Sequence, residues 1–360
     1  STLKVDEVIK HYSNPLVRKE IAEYSNGRWV AIFAKRDGAG FFIRYWSKTG
    51  PPLTISRPED VGVILSRFKG IGPRTFYASV NIYSELSKRE HVDDPKNIIY
   101  CTPIWDIDGS LEYWEKVVDV ARIIVEELEK HGVSKSIYLK WSGRGIHIHL
   151  HEKAISDELR AKYHPLDLAY SIVDYIIRKC KDKILEVMKT VSGGERALKI
   201  ENEMDMKRVF TAPLSLHKFL DLATICFKPN QIDEFTPEWA KPNILKHNPD
   251  WRKHVEGEAD ELAVKALKEV GGYFERVGEI RTVVQLEPTK IVRKTKPRGP
   301  VKVGRFQVMA LLQAARYYLL TGDLAKAKSF GLNRAIFYAW AKRHAKGRVF
   351  RRKLTGVERE

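Results

Sequence analysis

The stretch "WDIDG", residues 105–109, closes an apolar run with two carboxylates two positions apart. In an extended chain Asp106 and Asp108 project from one face. Carboxylates held side by side repel each other unless a proton or a cation lies between them. Hard divalent ions such as Mg²⁺ and Mn²⁺ take such oxygen ligands and often complete their shell on substrate phosphates. Asp-Gly is also a common turn, so the pair alone is a weak signal. Further along, "WSGRGIHIHLH" (141–151) supplies a second chemistry. Gly143 and Gly145 let backbone N–H groups come close to a ligand, and Ser142 and Arg144 can donate hydrogen bonds, a combination suited to phosphate oxygens. His147, His149 and His151 alternate with Ile146, Ile148 and Leu150 and so share one strand face. By residue type they could be metal ligands, phosphate contacts or the polar side of a half-buried strand. An acidic pair beside a phosphate-binding turn is the arrangement nucleotidyl transfer needs, in which two ions ~3.5–4 Å apart serve the attacking 3′-hydroxyl and the leaving pyrophosphate.

The elements that must position these groups can be read from periodicity. Residues 28–47 predict a hairpin turning at "KRDGAG". Residues 58–69 predict a helix, 74–83 a strand, and 97–109 a single apolar strand ending in the acids. Apolar residues at three-four spacing predict a helix over 111–130, and "SIYLKW" (136–141) a strand leading into the Ser-Gly-Arg-Gly turn. Strand, helix and strand make a βαβ unit. A long amphipathic helix is expected over 157–189, followed by a strand-like, first acidic and then basic segment at 198–217. Residues 286–304 read as a basic linker, and 305–320, 323–329 and 333–345 as short helices with the pattern of a helix-turn-helix. The expected organisation is a catalytic α/β domain at 1–285, the linker, and a small basic all-helical domain at 305–350.

The net charge of the 360-residue chain is +17, and residues 290–360 hold 19 Lys and Arg against 3 acids, a balance of +16. Such a basic segment beside a globular body points to a polyanion, here nucleic acid. In the helical domain Arg334, Lys342 and Arg343 are the expected DNA-backbone contacts, with Leu332, Ile336 and Trp340 holding the helices together. No apolar run of ~18 residues occurs, so no membrane span is expected. No signal-peptide pattern opens the sequence. The three cysteines are scattered, which argues against a disulfide framework or a Cys-rich zinc site and fits a reducing, cytoplasmic setting.

"YASVNIY", "DID", "SGRGIH" and "MKRVFTAPLSLH" occur in an order that resembles the archaeo-eukaryotic primase superfamily, over roughly residues 25–225. The similarity is to the catalytic (small) subunit of archaeal primase, and extends to plasmid-borne primase–polymerases of hyperthermophilic archaea. The resemblance implies an RRM-like core that synthesises and extends primers on single-stranded DNA template from NTPs or dNTPs, using two Mg²⁺ or Mn²⁺ ions. It also leaves room for a helicase or other replication region on the same or another chain. It assigns Asp106 and Asp108 to the metals, Ser142, Gly143, Arg144 and His147 to the triphosphate, and Ser215 and His217 to a second phosphate contact. His149 and His151 are then only the strand's polar face. The third carboxylate falls in "IENEMD", where Glu201 fits better than Asp205. The family's basic residue six before the histidine is Thr211 here, so Arg208 or Lys218 would supply that charge. The zinc-binding insertion is missing, and no zinc is expected.

Two rival readings belong to other classes. His-hydrophobic-His is also the signature of rolling-circle replication nucleases, which would need a tyrosine nucleophile such as Tyr170 or Tyr175. A non-catalytic DNA-binding replication module would leave the intact acidic pair and phosphate turn without a purpose.

Overall fold

The motifs lie on two antiparallel sheets in a mixed α/β fold. The structure, a computed structural model, describes residues 3–191, 197–276, 279, 281–286 and 305–323. Along the chain come α1 (Val5–Ser13), α2 (Pro15–Ser25), β1 (Arg28–Arg36), β2 (Ala39–Ile43), α3 (Pro58–Arg67), β3 (Pro73–Tyr83), β4 (Ile98–Cys101) and β5 (Ile104–Asp108). Then follow α4 (Trp114–Lys130), β6 (Ile137–Trp141), β7 (Ile146–Leu150), α5 (Asp157–Lys162), α6 (Pro165–Met188), β8 (Lys199–Glu201), β9 (Val209–Thr211), β10 (Ile225–Phe227), α7 (Asp260–Val270), β11 (Val283–Gln285) and α8 (Arg305–Thr321). The first sheet runs β2-β1-β3-β4, with β9 also beside β3, and the second runs β10-β6-β7-β5-β8-β11. The chain divides into residues 1–287 and 288–360, and α8 is the described part of the second unit. The linker from 287 to 304, the later helices, and Arg334, Lys342 and Arg343 lie outside the described residues.

The hairpin turns where Asp37 and Gly38 both have positive φ, 50° and 81°, the pairing that a tight two-residue turn between twisted strands requires. The expected strand over 97–109 is two strands in two sheets. Pro103, which has no N–H to give to a ladder, stands at the break. The expected helix over 157–189 is likewise two: Pro165 opens α6, and His164 is held out of the helix and caps it. Strands β5 and β6 flank α4 as expected, but β7 lies between them and pairs antiparallel with both.

Alternation on the second sheet sorts its residues cleanly. Trp105, Ile107, Leu139, Trp141, Ile146 and Ile148 are all fully buried, on the face covered by α4 and α6, where the Trp105 indole donates to the Val173 carbonyl at 3.2 Å. The other face carries Asp106, Lys140, His147 and His149 toward α2 and the first sheet: the His149 ring stacks on Tyr138 and meets Tyr24 edge-on, and His147 meets Phe210 of β9. Burying this polar face requires partners. Arg28 supplies them at one end, donating to the Tyr24 and Ser79 carbonyls and to Thr102 Oγ1, and lying 3.4 Å from Glu152. Lys140 has no access to solvent, and its Nζ donates to the Thr211 carbonyl.

Two expectations follow. Burial lowers the Lys140 ammonium from the ordinary 10.5 to about 7. Between those values the unfolded chain holds a proton that the folded chain lacks, so this group adds stability as pH rises through that window and adds none below it. The stability of the wild type relative to Lys140→Met should therefore climb from pH 7 to 10, by at most about 1.4 kcal/mol per pH unit; a flat difference in chemical denaturation would show that Lys140 is solvated. Second, a Cβ at Gly145 would sink into the Ile107 carbonyl oxygen of β5, whereas Gly70 has nothing within 4 Å of that position. Gly145→Ala should cost about 3 kcal/mol or more, and Gly70→Ala should leave the melting temperature within about two degrees.

Candidate active site

Asp106 sits centrally on β5, in register with His147 on one side and Glu201 on the other, while Asp108 at the strand end faces Lys199. The Asp106 carboxyl is hydrogen-bonded to Glu203, two residues beyond the end of β8. A hydrogen bond between two carboxyl groups requires a proton between them. Burial, then the bond to Asp106 and its charge, push Glu203 up to about 8. Burial also raises Asp106, with Asp108 and Glu201 adding repulsion. Glu201 is raised by burial and by the Glu203 charge, and it too is hydrogen-bonded to Glu203. The acids thus form a chain, Glu201 to Glu203 to Asp106. Arg208 closes it, with Nη2 2.6 Å from Glu203 Oε2 and its guanidinium over the Phe210 ring.

His147 Nε2 lies 3.3 Å from Asp106 Oδ1, and burial holds the imidazole well below its ordinary pKa, so the ring is neutral. Its Nδ1 is buried without a partner. Among the described residues no three Asp, Glu, His or Cys side chains converge as a ready-made metal cage; Asp106 and Glu203 are turned toward each other instead. Asp205 is engaged elsewhere. One oxygen accepts from the Lys207 N–H at 2.9 Å and the other lies 2.6 Å from Arg281.

The turn joining β6 to β7 folds back on itself, with the Ser142 N–H and Oγ both directed to the Gly145 carbonyl at 3.0 and 3.3 Å. Gly143 takes φ 111°, and a Cβ there would come within 2.8 Å of the His217 ring. Gly109, closing "WDIDG", has the Arg144 carbonyl 3.4 Å from the same position. The acidic strand, the Ser-Gly-Arg-Gly turn and His217 therefore meet at one place. Arg144, half-buried on this turn, makes no ion pair or hydrogen bond with any described residue through its side chain. His217 Nδ1 accepts from the Phe219 and Leu220 N–H groups at 3.0 and 2.9 Å, which leaves the ring hydrogen on Nε2 and makes that nitrogen a donor.

Other expected residues are placed differently. Ser215 is fully buried; its Oγ accepts from the Phe76 N–H at 2.7 Å and lies 3.3 Å from the Tyr12 hydroxyl. Lys218 rests over Phe33 and Phe219 rather than beside the acids. Arg208 is taken up by Glu203, and the cation next to Thr211 is Lys140. Tyr170 and Tyr175 are on α6, across the second sheet from the histidine face, and both are buried. His151 stacks on His254. Glu203 and Lys140 are the residues that sequence reasoning missed. For Glu203 a signal existed: it follows Glu201 by two, so a strand continued past 201 places both on one face.

No family model matches the chain, and no curated protein matches its sequence. Among solved structures, the polymerase domain of ligase D from Mycobacterium tuberculosis, in complex with DNA, is similar at a TM-score of 0.45 and 12% identity, over 76% of this chain and 91% of that one.

Proposed function

We propose that the unit spanning residues 1–287 is a nucleotidyltransferase of the primase–polymerase kind, extending a nucleic-acid 3′ end on a single-stranded template. The observation that carries this reading is the chain of carboxylates, with Glu203 buried and Asp106 and Glu201 half-buried, set against a phosphate-type turn. A proton-sharing acid pair in the free protein is a site that gains by exchanging its proton for a divalent cation. The donors are hard oxygens only, which suits Mg²⁺ or Mn²⁺ and not zinc. Asp106, Asp108 and Glu203 would hold the ions, with Glu201 hydrogen-bonded behind Glu203. When bound, such ions activate a 3′-hydroxyl and neutralise charge on the phosphates.

The chain's own groups do the rest. Arg144, with no competing side-chain partner among the described residues, and the turn's backbone N–H groups grip triphosphate oxygens, and the His217 Nε2–H donates from the facing loop. His147 fixes the rotamer of Asp106 through the 3.3 Å contact, and Arg208 does so for Glu203. NTP and dNTP are both accommodated by this reading. The basic unit at 288–360 would supply template affinity.

In primer extension on a gel, Asp106→Asn and Glu203→Gln should each lower nucleotide incorporation by about a hundredfold or more. Asp205→Asn should leave it within about threefold, and Glu201→Gln should fall between. Should Glu203→Gln extend normally while Glu201→Gln does not, the third ligand is Glu201. Removal of residues 288–360 should weaken binding of a labelled single strand and flatten its salt dependence, which runs at roughly −0.7 log units per phosphate contact. Unchanged affinity and slope by fluorescence anisotropy would assign template binding to the first unit alone.

A further inference from the structure

Beyond His217 the chain presents a surface that the carboxylate site does not use. Phe219 follows two residues later and is 49% exposed. Its ring lies 5.9 Å from Phe33 of β1 and 6.2 Å from the His217 ring. Lys218 Nζ is 5.5 Å and Lys35 Nζ 5.8 Å from the Phe219 ring centroid. On the neighbouring edge strand β2, Phe42 is 50% and Phe41 37% exposed, and Phe42 rests against Tyr77 of β3. Between α1, the end of β1 and the Lys218–Phe219 segment opens a cavity of about 310 Å³. Its floor is apolar, and among the described residues its charged lining is Lys35, Lys69, Arg74 and Lys218. Arg74 is already committed, to the His217 and Leu220 carbonyls and to Asp221. The three lysines line the cavity with no carboxylate among them.

Phe42 pairs with Phe33 and so shares its face of the sheet, and two large aromatic rings, Phe219 and Phe42, left in water on that side of the domain mark a surface made for contact. A purely apolar partner, such as a second copy of the chain, would force the lysine ammonium groups out of water unpaired. A folded acidic partner would pair the lysines but has no use for half-exposed ring faces. Single-stranded nucleic acid satisfies both, because unpaired bases stack on aromatic faces and the phosphates between them meet the cations. Its position also fits: the platform begins two residues from His217, which touches the phosphate-type turn at Gly143.

We propose that Phe219, flanked by Lys35 and Lys218 and continued by Phe42, is a stacking platform for unpaired bases of a single strand. On the function proposed above that strand is the template, held beside the carboxylates independently of the basic 288–360 unit. The platform reads no sequence, since every base has a face to stack.

The test uses the full chain and a single-stranded oligothymidylate carrying 5-iodo-2′-deoxyuridine, irradiated without metal or nucleotide and mapped by mass spectrometry. Cross-links are expected on the peptides that contain Phe219 and Phe42. Phe219→Leu keeps an apolar cover on the cavity but removes the ring, and should weaken binding about fivefold or more, whereas Phe219→Trp should preserve it. Lys35→Gln should reduce the salt dependence by about one phosphate contact. Cross-links found only elsewhere, or Phe219→Leu binding like the wild type, would overturn the platform. Because no nucleotide is present, the outcome is separate from catalysis. Platform cross-links in a protein that incorporates no nucleotide would sink the polymerase reading alone, and incorporation without platform cross-links would sink the platform alone.

Discussion

Carboxylates that share a buried site must share something else as well. Asp106, Glu203 and Glu201 are drawn from two segments far apart in sequence, and bringing them together in a poorly solvated place costs free energy that packing alone does not return. The protein meets this cost with one proton between Asp106 and Glu203 and one guanidinium, Arg208, at the end of the chain of acids. Much of the surrounding structure follows from that need. Arg208 leads directly into β9, so the cation arrives from the first sheet while the acids belong to the second and its exit. His147 is kept neutral by burial, and so can lie against Asp106 without drawing its charge away from an incoming cation.

The site also stands where the chain changes sheets. Residues 102–103 carry it from β4 in the first sheet to β5 in the second, and residues 202–208 carry it back from β8 to β9. A strand that ends in order to cross over exposes its last side chains to the space between the sheets. That is why Glu203, just after β8, can meet Asp106 in the middle of the neighbouring β5. The same design leaves a polar face pointing inward. Arg28 ties down its far end through four residues, Tyr24, Ser79, Thr102 and Glu152, and Lys140 reaches across it to the Thr211 carbonyl. Thr211 is the position where the resembled family carries a base, and here the buried Lys140 amine reaches its carbonyl from β6 instead.

What could be read from the sequence was local chemistry. The acidic pair, the glycine-rich turn and the alternation of the histidine strand depend on spacings of two to five residues, and all three sit in the structure as spaced. The hairpin at Asp37–Gly38 was legible for the same reason. What failed needed tertiary knowledge. The run 97–109 has unbroken strand character, and only the crossing at Pro103 divides it between sheets. The run 157–189 reads as one helix, but Pro165 begins a second helix, capped by His164, and only the proline marks the division. Glu203 was passed over because the motif pattern pointed to Glu201, although the two acids stand two residues apart. Ser215 matched a motif letter, but its neighbours Tyr12 and Phe76 take its hydroxyl into the core.

His217 joins these levels. Its Nδ1 is fixed by two backbone N–H groups of the next three residues, so a single turn determines both the tautomer of the ring and the direction of the chain after it. The ring edge lies on Gly143, where any side chain would collide, so the glycine serves the histidine as much as the phosphate turn. The same turn then delivers Lys218 and Phe219 outward onto Phe33. A hydrogen-bond donor to the nucleotide at His217 and a base stacked on Phe219 would be positioned by one short segment, residues 217–219. Their separation would then be fixed by covalent geometry and not by the motion of a separate domain. On the function proposed above, in which a template base is held opposite an incoming nucleotide, that is the distance which matters most.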